Sequence, residues 1–169
     1  TSPVIGTGMY PTPNPTWLDF GVFSGRASTY MEEAGDYASI PIASTDYNPE
    51  SGRVEFYFNP STLNSSGTRT LFLLRSTGGD EFLRLRREAG DLVAWYETTA
   101  NIDRTVTITN ANLASYFVTG SWVKVSVRWD NSLTENDKLQ IYLNDEKPTQ
   151  TVSGTFRYDL MSAWNQFII

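Results

Sequence analysis

From Val123 to Trp129 the chain reads Val-Lys-Val-Ser-Val-Arg-Trp, strictly alternating apolar and polar residues. Successive side chains of an extended strand point to opposite faces. Val123, Val125, Val127 and Trp129 therefore share one face, and Lys124, Ser126 and Arg128 share the other. The same period recurs at Val54, Phe56 and Phe58, and again in Leu139-Gln140-Ile141-Tyr142-Leu143. In Phe82-Leu83-Arg84-Leu85-Arg86 it sets two leucines against two arginines. Turn residues punctuate these runs at Asn59-Pro60, Ser65-Ser66-Gly67, Gly78-Gly79-Asp80, Ala89-Gly90-Asp91, Asp130-Asn131 and Asn144-Asp145. Many half-buried strands at this spacing predict an all-β sandwich or barrel. Helical signal is confined to single turns near Asn110–Tyr116 and Leu133–Asp137.

A chain of 169 residues suits one domain with a core of its own. It contains neither cysteine nor histidine. That excludes disulfides, thiolate catalysis, zinc-thiolate sites, a Ser-His-Asp triad and histidine-bound zinc. The net charge of −6 argues against nucleic acid as a partner. No apolar run approaches the roughly 18 residues of a membrane span. Residues 1–16 hold four of the eight prolines and read as an N-terminal arm or linker. Residues 17–169 read as the β domain.

Several segments resemble landmarks of a known family. Gly25-Arg26-Ala27-Ser28-Thr29-Tyr30, followed by Gly35-Asp36-Tyr37-Ala38-Ser39-Ile40-Pro41, is similar to the opening of laminin G-like domains. Gly52 to Pro60, Trp122 to Asp130 and Lys138 to Asp145 resemble three later strands of that family, in the same order and at similar spacing. The resemblance covers about residues 25–169. It implies a two-sheet antiparallel jelly-roll sandwich of the concanavalin A-like kind. It also departs from the family: the chain stops at Ile169, where relatives continue into a further strand. That departure predicts an open sheet edge, filled by residues 1–23, by a neighbouring subunit or by sequence beyond Ile169.

Three kinds of chemistry are open to such a chain. Glycosidases of this fold carry two carboxylates at same-face strand spacing. Glu32-Glu33 and Asp80-Glu81 are adjacent instead and read as solvated turn charges, so the chain is expected not to be an enzyme. The family often binds calcium, which makes Asp36 and Asp80 the candidate metal ligands. Each follows a glycine before a strand, although turn aspartates also arise because they bond their own backbone. Sugars stack on aromatic rings and bond planar polar groups, and 14% of residues are aromatic. Among the outward-alternating residues, Tyr57, Arg84, Arg86, Arg128 and Tyr142 are the candidate carbohydrate-binding set, on the condition that their strands lie in one sheet. The competing reading is an ordinary solvated face with cross-strand charge pairs. Trp17, Trp95, Trp122 and Trp164 fit either core or groove.

The function these features imply is a non-catalytic carbohydrate-binding or adhesion module, extracellular or on a cell or virion surface, with a glycan or surface polysaccharide as partner. The alternative is a structural subunit of a virion or filament. That subunit would form homo-oligomers by adding the Pro-rich arm as a strand to a neighbour.

Overall fold

The computed structural model describes residues 48, 50–59, 67–76, 82–98 and 103–158 in full, and strand backbone at 10–12, 17–19, 28–29, 37–41 and 166–168. Its strands are β1 (Tyr10–Thr12), β2 (Trp17–Asp19), β3 (Ser28–Thr29), β4 (Tyr37–Pro41), β5 (Ser51–Phe58), β6 (Thr68–Arg75) and β7 (Phe82–Glu88). They continue with β8 (Asp91–Glu97), β9 (Asp103–Ile108), β10 (Val123–Asp130), β11 (Leu139–Leu143), β12 (Thr151–Gly154) and β13 (Gln166–Ile168). The helical turns fall at α1 (Asn110–Leu113) and Glu135–Asp137, where the sequence places them.

Every ladder is antiparallel. The larger sheet runs β1-β4-β13-β6-β7-β8-β9-β12 and the smaller β11-β10-β5, with β2-β3 a separate ladder. The all-β, two-sheet prediction therefore holds. Within the Pro-rich segment, Tyr10–Thr12 pairs with β4 of its own chain. The C-terminal β13 lies between β4 and β6.

The core follows the alternation. Val123, Val125, Val127 and Trp129 of β10 are buried, with Leu139, Ile141 and Leu143 beside them. They face Leu83, Leu85, Leu92, Ala94, Tyr96, Val106 and Ile108 of the larger sheet. Burying each large aliphatic side chain contributes about 1.5–3 kcal/mol. Phe56 of β5 meets Phe72 of β6 edge-on at 6.0 Å, joining the two sheets. Phe58 packs on Phe117 and Tyr96 on Phe156.

Trp129 requires a gap in its neighbour. It pairs with Gly52, where an added Cβ would lie 2.3 Å from the indole. The indole N–H donates to the Asn48 carbonyl at 3.0 Å. Two tight turns use positive φ at both central residues, as right-twisted hairpins demand. They are Ala89-Gly90 (φ 49° and 92°) and Asn144-Asp145 (φ 50° and 66°).

Candidate functional site

The five predicted sugar-binding residues do not share a sheet. Tyr57, Arg128 and Tyr142 lie on the outer face of the smaller sheet, whereas Arg84 and Arg86 lie on β7, in the larger one. The sandwich core separates the two groups. The condition for one continuous site is thus not met, because alternation tells which side of a strand faces out but not which sheet the strand joins. Asp36 and Asp80, the candidate calcium ligands, lie outside the described residues. Among the described residues no cluster of three or more acidic side chains could hold a metal ion.

On the smaller sheet Tyr57 is 67% exposed and stands opposite Lys124. Around it the charges are matched. Lys124 Nζ lies 3.2 Å from Glu55 and 2.8 Å from Asp145, which together raise its pKa. Arg128 pairs with Asp130 at 2.8 Å. The Ser132 hydroxyl and Arg128 hold the Asp130 carboxyl below its ordinary value. The Tyr142 hydroxyl donates to Gln140 Oε1, whose amide in turn donates to Asp137. Ser126 and Gln140 in the middle of this face are buried. Of the predicted residues here, Arg128 and Tyr142 are engaged within the protein and only Tyr57 stands clear.

The larger sheet is built differently. Leu83 and Leu85 turn inward, so Phe82, Arg84, Arg86 and Glu88 turn outward. Register places Arg84 opposite Trp95 of β8, and Trp95 opposite Thr105 of β9. Arg86 stands opposite Val93, and Val93 opposite Thr107. Trp95 is half-buried, and Phe82 meets it edge-on at 5.7 Å. The Arg84 guanidinium lies 4.8 Å from the Phe82 ring centre and 5.0 Å from that of Trp95. Arg86 lies 4.9 Å from Trp95 and pairs with Glu88 at 2.6 Å. Burial, then the like charge of Arg86, lower the Arg84 pKa.

Beside Trp95 the face sinks into a shallow depression of about 370 Å³. Arg86, Glu88, Asp91, Asp103, Thr105 and Thr107 edge it. Two of its carboxylates already have partners: Glu88 holds Arg86, and Asp91 accepts the Asn110 backbone N–H at 2.8 Å. An indole bordered by hydroxyls, carboxylates and guanidiniums offers the surface an oligosaccharide needs, one apolar stacking plane with polar groups around it.

The sequence hides Trp95 inside the apolar run Leu92-Val93-Ala94-Trp95-Tyr96, which has no alternation to reveal its outward members. Thr105 and Thr107 were findable, because they alternate with Val106 and Ile108.

No family model and no curated protein matches the sequence. Solved structures do match in shape. The receptor-binding domain of botulinum neurotoxin D superposes with a TM-score of 0.63 at 11% identity, covering 95% of this chain and 38% of that one. An HCR/D mutant gives 0.68 at 12% identity, over 95% and 37%. The receptor-binding domain of the mosaic serotype C/D toxin gives 0.57 at 14% identity, over 79% and 31%. The chain spans about a third of the length of these structures. It has the concanavalin A-like, laminin G-like jelly-roll fold.

Proposed function

We propose that this chain is a non-catalytic carbohydrate-binding module of the cell exterior, a cell surface or a virion surface. The sugar lies on the outer face of the larger sheet, across Trp95 and the depression beside it. The observation that carries this reading is the half-buried Trp95 set against Arg86, Asp91, Asp103, Thr105 and Thr107. The botulinum neurotoxin domains that share the fold are receptor-binding domains. Binding fits better than hydrolysis because Glu88 and Asp91 are tied to Arg86 and to the Asn110 backbone. A free acid–base pair would need carboxyls that can exchange protons with substrate.

A glycan array followed by calorimetry tests the reading. Trp95→Ala should weaken the bound glycan by about tenfold or more, through loss of the stacking plane. Tyr57→Ala and Tyr142→Ala should leave it unchanged. The opposite ranking would move the site to the smaller sheet. Silence across neutral and acidic glycans would defeat the function itself.

A further inference from the structure

Around Trp95 three polar donors have no acceptor. The Nε of Arg84, the Nε of Arg86 and the indole Nε1 of Trp95 are all closed to solvent and without a hydrogen-bond partner. Buried donors are normally satisfied, so three on one patch call for an explanation. Arg84 is the least anchored of the group. Among the described residues it makes no close ion pair or hydrogen bond; the rings of Phe82 and Trp95 lie against it, and Glu97 and Glu88 attract it from further away. Arg86 beside it has the same sign of charge and also leans on Trp95.

We infer that Arg84, with Arg86 beside it, forms an anion subsite for the carboxylate or sulfate of an acidic sugar, and that Arg84 rests on Trp95 only until that sugar arrives. This rests on the proposed sugar site at Trp95. A guanidinium binds planar acid groups through paired N–H bonds. Such an acid group draws Arg84 off the ring, satisfies its idle Nε and uncovers the indole for the sugar's C–H face. Glu88 and Asp91 stand beyond Arg86 at one end of this face, and Glu97 and Asp103 stand beyond the Arg84–Trp95–Thr105 row at the other. Carboxylates therefore flank the arginine pair, which leaves the two guanidiniums as the place for an acid group, and the neutral part of the chain runs along Thr105 and Thr107. A net charge of −6 opposes polyanions in general, so binding depends on this local pair.

The test is calorimetry on the full chain with three probes: a heparin-derived hexasaccharide (sulfate and carboxylate), a hyaluronan hexasaccharide (carboxylate alone) and cellohexaose (neutral). At least one acidic probe should bind about tenfold or more tightly than cellohexaose, the size expected of a charge-assisted bond. Arg84→Gln should erase that advantage, and Arg84→Lys should keep part of it. Melting temperature checks that both variants fold. If hyaluronan shows the advantage, a carboxylate suffices; if only heparin does, the group is sulfate. Trp95→Ala should weaken every probe that binds. An acidic preference that survives Arg84→Gln overturns this inference while leaving the site at Trp95 standing. Acidic binding that survives Trp95→Ala overturns both. Equal binding of a short DNA duplex would show general polyanion attraction and also overturn the inference, as would silence of all three probes.

Discussion

The two outer faces of the sandwich obey the same alternation yet end in opposite electrostatic states. On the smaller sheet every cation meets a carboxylate. Lys124 bridges Glu55 and Asp145, Arg128 holds Asp130, and Arg53 lies 3.5 Å from Glu55. On the larger sheet Arg84 leans on rings and leaves its Nε idle. The difference comes from what the neighbouring strands supply. Beside Lys124, β5 and the turn after β11 bring acids. Directly beside Arg84, β6 and β8 bring Leu73 and Trp95, and the carboxylate of Glu97 stands one pair further along without a close ion pair to it. A face whose polar groups are satisfied internally gains little from a ligand; a face with donors left over gains their full worth. This is why the candidate site belongs on the larger sheet.

The sharpest contrast is between two arginines of that sheet, which differ at their terminal nitrogens, since the Nε of each lacks a partner. Arg104 of β9 points inward and is 2% exposed. Its Nη1 donates to the Gly154 carbonyl, its Nη2 to the Glu135 carbonyl, and the Glu135 carboxylate lies 3.5 Å away. Arg104→Leu strands both carbonyls and should lower unfolding free energy by about 3 kcal/mol. Urea denaturation measures it. A loss below about 1 kcal/mol would mean those bonds are readily replaced by water.

A smaller effect concerns acid. Burial works to raise the Glu135 pKa, but the Phe156 N–H, Lys138 and Arg104 outweigh it and hold the carboxyl below its ordinary 4.5. Lys147 and the Thr134 hydroxyl similarly hold Asp137 below 3.8. A depressed folded pKa stabilises the fold fully above the unfolded value, and the contribution disappears as pH falls through the folded one. Stability should therefore stay level from pH 7 to about 5 and drop below pH 4.5, with Glu135→Gln flattening part of that drop. Denaturation midpoints across pH give the curve; a fall already complete by pH 5 would assign it to other groups.

What the sequence disclosed and what it concealed follow the same physics. Alternation identified β5, β7, β10 and β11 and the inward faces of each. The pairs Ala89-Gly90 and Asn144-Asp145 marked the tight turns, because Gly, Asn and Asp tolerate positive φ. Sheet membership was not readable, since a strand's neighbours are fixed by long-range packing. Tyr57 and Arg84 therefore looked like members of one surface although the core lies between them. Trp95 was ambiguous because Val93, Ala94 and Tyr96 around it are apolar on both faces. The unpaired donors beside it depend on what β6 and β8 place across from Arg84, which no single segment contains.

The smallest expected effect is the most informative. Arg84→Leu keeps an apolar stem against Phe82 and Trp95 while removing a buried, unpartnered donor and a charge that Arg86 repels, offset by lost attraction to Glu97 and Glu88. Replacing such a group with an apolar one is nearly neutral or stabilising. The melting temperature should therefore stay level or rise slightly. Lys124→Leu on the opposite face should lower it a little, because Asp145 loses its cation and Glu55 keeps only Arg53 at 3.5 Å. If instead Arg84→Leu destabilises the chain as Arg104→Leu does, then Arg84 is held by something stronger than two ring faces. The larger sheet would then be as complete as the smaller one, and the reason for placing a ligand there would be gone.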